Sequence, residues 1–222
     1  MSSPESNFRR WFRGSGEGAK PSATAKTASR TSRRCIGLGE FLRGLSGAQE
    51  RLSVLDLGPT SPANISFLTE MEARVYNEDV LRATRDPSYM ARQEDGTEQL
   101  DPQKFFAENC NYAEGTFDAI LFWDLADYLP EVLVKPLVER IQAVLKPKGM
   151  LLALFHTKDA GPESPYYRYH IAGRDVLELE QGPNFRLQRI FNNRHVENLF
   201  KDFSSRKFFL GRDNIREVIV VR

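Results

Sequence analysis

The chain alternates between short continuous apolar runs and segments in which apolar residues recur every three or four positions. Residues 52–57, 117–123 and 150–155 form such runs, and residues 73–76 read as a further short strand. The runs predict buried strands, because a strand covered on both faces shows no polar alternation. Ile65, Leu68 and Met71 share helical spacing, as do Leu133, Leu137, Ile141 and Val144. Ser61-Pro62 predicts a helix start at Pro62, since a serine hydroxyl caps free amides and proline suits the first turn. The face carrying Ile65, Leu68 and Met71 is then expected to meet a sheet. Lys146-Pro-Lys-Gly149 ends the second helix. A further helix is predicted over 36–45, with Phe41, Leu42 and Leu45 apolar. Residues 82–104 are polar and predict a surface helix and loop. Strand, helix, strand occurring twice points to an α/β fold with a Rossmann-like, mostly parallel sheet.

The last third reads differently. Residues 176–180 and 186–191 flank Gln181-Gly-Pro-Asn184 and predict one hairpin. Residues 207–210 and 215–221 flank Gly211-Arg-Asp-Asn214 and predict a terminal antiparallel hairpin. A short helix is expected over 196–203.

Residues 14–34 hold no large apolar side chain and cannot bury enough surface to offset the entropy of ordering. The expectation is a disordered basic tail over 1–35 and one domain over 36–222. Phe8, Trp11 and Phe12 lie among Arg9, Arg10 and Arg13, a pattern suited to an anionic partner or membrane surface. Total charge is nearly balanced, with 31 Lys+Arg against 30 Asp+Glu. That balance argues against a dedicated nucleic-acid binder. It also hides an asymmetry: eight basic against two acidic residues put the first 35 residues at +6. Two separated cysteines, Cys35 and Cys110, predict free thiols in a reducing, cytoplasmic setting. No apolar run reaches the ~20 residues that span a bilayer. The three histidines and two cysteines have no metal-ligand spacing.

The informative unit is Val54-Leu-Asp56-Leu-Gly58 followed by a capped helix. In an open α/β sheet, ligands bind beyond the carboxyl ends of the strands, at the point where strand order reverses. A glycine there admits a ligand close to the backbone. An acid about 20 residues later can accept hydrogen bonds from a ribose. Glu78 lies 22 residues after Asp56 and Asp79 lies 23 after it. The spacing suits a nucleoside-containing cofactor.

At these residues the chain resembles the class I S-adenosylmethionine-dependent methyltransferases. Residues 55–58 resemble the family's first motif and 75–79 its second strand with the ribose acid. Residues 115–130 resemble its fourth strand and following loop, and 145–152 the turn into its fifth strand. The terminal hairpin agrees as well. The resemblance covers roughly residues 50–222 and implies a methyltransferase-like fold, S-adenosylmethionine as cofactor, and methyl transfer to an acceptor that no motif identifies. It implies cofactor contacts from Asp56, Gly58, Thr60, Ser61, Glu78 and Asp79, with Glu108 and Asn109 nearest to an adenine-binding acid, and with Trp123 and Asp124 beyond the fourth strand. The family's second and third motif glycines are replaced by Thr60 and Pro62, which limits the approach of the methionine end. A binding or scaffold protein that has lost the cofactor is therefore the alternative. His156, at a strand end, is the base candidate, with a hydrogen-bonded structural histidine as the competing reading. Asp127, after the fourth strand, is the other catalytic candidate, with a helix cap as the competing reading. Tyr128, Tyr166 and Tyr167 are candidate substrate contacts, the last two within a loop expected over 157–169.

Overall fold

The computed structural model describes residues 30–47, 50–158, 164–211 and 213–222. The expected tail over 1–29, with its basic-aromatic patch, lies outside the described residues. In chain order the elements are β1 (Arg30–Arg34), α1 (Ile36–Leu45), β2 (Ser53–Asp56), α2 (Pro62–Glu70), β3 (Arg74–Asn77) and α3 (Val80–Ala83). A 3-10 turn (Pro87–Tyr89) leads into β4 (Met90–Arg92), β5 (Glu98–Leu100) and α4 (Pro102–Glu108). Then follow β6 (Phe117–Trp123), α5 (Leu125–Tyr128), α6 (Glu131–Val144), β7 (Leu145–His156), β8 (Ser164–Gly173), β9 (Val176–Phe185), α7 (Asn193–Leu199), β10 (Ser205–Leu210) and β11 (Ile215–Val221).

Six strands form the main sheet in the order β10-β11-β7-β6-β2-β3. The pairs β3–β2, β2–β6 and β6–β7 are parallel, while β11 runs antiparallel to both β7 and β10. The chain leaves β2 toward β3 on one side and later returns with β6 on the other. The order therefore reverses between β2 and β6, and a ligand crevice belongs there.

Period-two alternation explains why the central strands are continuously apolar. Leu55, Ile120, Phe122, Leu151, Ala153 and Phe155 face one core, shared with α4, α6 and α7. Val54, Ala119, Leu121, Leu152 and Leu154 face the other, shared with α1 and α2. Leu38, Phe41, Leu42 and Leu45 form the buried stripe of α1, at the spacing one helix face demands.

Four expectations are corrected. The folded region begins before residue 36. Arg30–Arg34 forms β1, antiparallel to β9, with Arg30 opposite Glu180 and Ser32 opposite Glu178. This strand lacks apolar side chains and is held by charge: Arg30 pairs with Glu178 and Glu180, Arg34 with Asp175, and the buried Arg33 with Glu217 and Asp213. Second, residues 186–191 form no strand. The actual hairpin joins β8 to β9, so residues 164–169, expected within the loop over 157–169, are strand. Third, Asn64 and Leu68 form the buried face of α2, and Ile65 is exposed. Fourth, residues 82–104 contain the β4–β5 hairpin besides short helices. Among the described residues, no helix is long and apolar enough to cross a membrane.

Candidate active site

The crevice at the reversal point is built on Asp56. Its carboxylate, 2% exposed, accepts from the Gly58 amide at 3.1 Å, Asn64 Nδ2 at 2.9 Å and the Trp123 indole Nε1 at 2.7 Å. Burial pushes the Asp56 carboxyl upward in pKa, and these three donors act against that push. Trp123 ends β6 with φ at +52°, a left-handed backbone that costs an aromatic residue about 1–2 kcal/mol. That turn brings the indole over Gly58. A Cβ at Gly58 would stand 2.7 Å from Trp123 Cδ1.

The β8–β9 hairpin closes the crevice from outside. Tyr169 stacks on Trp123 with ring centroids 5.0 Å apart and an interplanar angle of 9°. Its hydroxyl donates to Asp124 Oδ2 at 2.8 Å. Asn64 fastens the hairpin to α2: Nδ2 donates to the Tyr169 carbonyl at 3.0 Å and Oδ1 accepts from the Ile171 amide at 2.7 Å. Ser61 caps α2 by accepting from the Asn64 amide, and its hydroxyl lies 2.7 Å from His170 Nδ1. His170 Nε2 lies 3.1 Å from Glu180. Burial, together with Arg30, lowers the His170 pKa, so the neutral ring donates to Glu180 and accepts from Ser61.

On the far side of the crevice, Asp127 is fully buried and its Oδ2 accepts from both the His156 amide at 2.7 Å and His156 Nδ1 at 2.9 Å. Burial disfavours the charged imidazole, but the bond to Asp127 and the charge of Asp124 outweigh it, and the His156 pKa is raised. Asp124 is wholly buried, which pushes its carboxyl up to about 7. Tyr128 lies edge-on to both His156 and Tyr166.

The structure thus brings Asp56, Gly58, Trp123, Asp124, Asp127, Tyr128, His156 and Tyr166 together. Asp79 caps α3, accepting from the Arg82 amide, and lines a neighbouring cavity of about 340 Å³ with Pro59 and Tyr166. Other candidates are tied elsewhere. Thr60 donates to Asn77, Glu78 accepts from the Cys110 amide, Glu108 accepts from the Tyr89 hydroxyl, and Asn109 donates to the Phe105 carbonyl. Ser61 serves the helix cap and His170. Tyr167 sits opposite Gln181 in the hairpin. Sequence reasoning missed Asn77, whose Nδ2 donates to the carbonyls of both Asp56 and Gly58. It also missed the roles of Asn64, Tyr169 and His170. A polar Asn one helical turn past the cap, on the face that proves to be buried, was the available signal.

The expected cofactor can be tested against this geometry. Its methionine end needs the backbone at Gly58 open, but Trp123 covers that glycine and Asp56 is already held by three internal donors. In this arrangement Trp123 and the satisfied Asp56 narrow the turn where the methionine end would approach. The space beside Asp79 stays open.

No curated protein matches the chain. Solved structures of similar shape include the 1,6-didemethyltoxoflavin-N1-methyltransferase of Burkholderia thailandensis, with bound 1,6-didemethyltoxoflavin and S-adenosylhomocysteine. It is 14% identical, with a TM-score of 0.47 over 84% of this chain and 76% of that one. A SAM-dependent methyltransferase of Aquifex aeolicus is 16% identical, with a TM-score of 0.46 over 84% and 91% of the two chains. One from Methanosarcina mazei is 14% identical, with a TM-score of 0.46 over 79% and 94%. The family described as methyltransferase domain matches residues 28–205. That span holds β2, α2, β3, β6 and β7 with the crevice between them, and the chain therefore belongs to the methyltransferase domain family, whose activity is S-adenosylmethionine-dependent methyl transfer.

Proposed function

We propose that this methyltransferase acts on an acceptor that gives up a proton, with His156 as the base and Asp127 as the residue that orients it. The observation that carries this reading is the paired bond from Asp127 Oδ2 to the backbone amide and Nδ1 of His156. A carboxylate only accepts, so Nδ1 carries the ring proton and Nε2 is left with the lone pair that takes one up. His156 sits at the carboxyl end of β7, where an open α/β sheet presents its reacting groups. Its side chain is only 12% exposed, which shields a proton transfer from bulk water. The bond to Asp127 and the nearby negative groups stabilise the imidazolium that forms and raise the His156 pKa. The family's cofactor supplies the methyl group when bound.

The covered Gly58 favours a second reading, a binding or scaffold protein that keeps the fold without the cofactor. Calorimetry with S-adenosylhomocysteine separates the two. The catalytic reading expects binding by the wild type, and tighter binding by Tyr169→Ala, which removes the ring packed on Trp123. A folded wild type that binds none overturns the catalytic reading. Cys35 and Cys110 are buried and unpaired, and burial pushes the Cys35 thiol up to about 12. Such inert thiols support placement in the cytoplasm.

A further inference from the structure

The cavity beside Asp79 holds more positive charge than its own acids neutralise. Arg82, Arg85 and Arg168 all line it. Among the described residues, neither Arg82 nor Arg85 has a carboxylate within ion-pair distance. The two acids at the cavity already have partners. Asp79 accepts from the Arg82 amide as the α3 cap. Glu180 is shared by Arg30, Arg168 and His170. Arg168 uses Nη1 on Glu180 at 3.2 Å, while its Nε is buried without a partner. The walls are aromatic: Phe185 carries the Arg85 guanidinium 3.9 Å from its ring centre, and Tyr166 is 2% exposed with an unpartnered hydroxyl.

We infer that this cavity binds a small organic anion, its carboxylate or phosphate held by Arg82, Arg85 and Arg168 and its flat apolar body lying against Phe185 and Tyr166. Guanidinium groups suit this task because their planar donor forks match the oxygens of carboxylates and phosphates. Arg85 is held flat on Phe185, so its fork is oriented before a ligand arrives and less entropy is lost on binding. A volume of about 340 Å³ lies at the small end of ligand pockets, enough for a single-ring molecule and too small for a dinucleotide. The cavity shares Asp79 and Tyr166 with the candidate cofactor and acceptor contacts, and the inference concerns the anion that its arginines hold whether or not methyl transfer occurs.

The test is calorimetric titration of the full chain, without cofactor, with phenyl phosphate, benzoate and inorganic phosphate. At least one aryl anion is expected to bind, at least about tenfold more tightly than inorganic phosphate, which lacks the apolar body. Whichever aryl anion binds more tightly identifies the charged group as phosphate or carboxylate. The double variant Arg82→Gln/Arg85→Gln is expected to weaken that binding about tenfold or more, while Lys135→Gln on α6 leaves it unchanged. Raising the salt from 50 to 500 mM weakens it as well, to an extent on the order of severalfold. The exposed sites of Arg82 and Arg85 keep the double variant folded, which a thermal melt verifies. Absence of binding by both aryl anions, or equal affinity in the double variant, overturns the inference. S-adenosylhomocysteine binding is read in its own titration, so failure of the anion site is told apart from failure of the catalytic reading.

Discussion

Trp123 and Tyr169 stack almost flat, 9° from parallel, although they come from different sheets and lie 46 positions apart in the sequence. The stack seals the crevice over Gly58 and links two hydrogen-bonded groups, Asp56 on one side and Asp124 on the other. Adding a methyl at Gly58 forces this arrangement to move. Gly58→Ala is expected to destabilise the protein by about 1–3 kcal/mol, the usual cost of overpacking, because the indole is not a flexible side-chain end. Denaturant unfolding measures it. A neutral substitution would show that the indole does not rest on Gly58.

Asn64 ties α2 to both Asp56 and the hairpin. Asn64→Leu leaves the Ile171 amide and the Tyr169 carbonyl without this partner. The expected loss is about 2–4 kcal/mol, the desolvation cost of orphaned buried groups. Hydrogen exchange should also show the Ile171 amide opening earlier than in the wild type.

The contributions of Asp124 and His156 to stability are expected to fall as pH rises from about 4 through neutrality. Asp124 is held protonated in the fold up to about 7, whereas its unfolded pKa is near 3.8. Between those values the folded state binds the extra proton, so raising the pH favours unfolding. His156, raised above 6.5, acts in the same direction: its stabilisation is complete below its unfolded pKa and lost as pH passes its folded value. Asp124→Asn removes the Asp124 contribution, and its melting temperature should change less between pH 5 and pH 8. An unaltered pH slope in this variant would exclude Asp124 as the source.

The His156–Asp127 pair is accessible without knowing the acceptor. Following the His156 ring protons by NMR against pH should give a pKa above the ordinary histidine value. Asp127→Asn removes the charge and leaves the burial, so the pKa should drop below that value. An unchanged titration would remove Asp127 as the orienting partner.

Glu217, 1% exposed, joins β1 to α1 by accepting from Arg33 at 2.8 Å and from the Gly37 amide at 2.6 Å. Glu217→Gln leaves Arg33 buried with only Asp213 for charge compensation. The expected cost is about 2–4 kcal/mol, toward the lower end of values for a broken buried pair. Proteolysis should then cut preferentially near β1. Cleavage spread evenly along the chain would count against this role.

The α/β class, the central strands, the start of α2 at Ser61-Pro62 and the terminal hairpin are all legible in the order of residues along the chain. These depend on local chemistry: apolar runs bounded by glycine and proline, and a hydroxyl that caps its own helix. Asp56 and Gly58 were equally legible as a strand-to-helix turn, and His156 as a strand-end histidine. What covers that turn is set by contacts that exist only in the folded chain. The stacking of Tyr169 on Trp123, the bridge from Asn64 and the ordering of Arg30–Arg34 against Glu178 and Glu180 all join residues more than 40 positions apart. Such contacts leave no periodicity to read, because each half looks like an ordinary polar or aromatic residue until the fold supplies its partner.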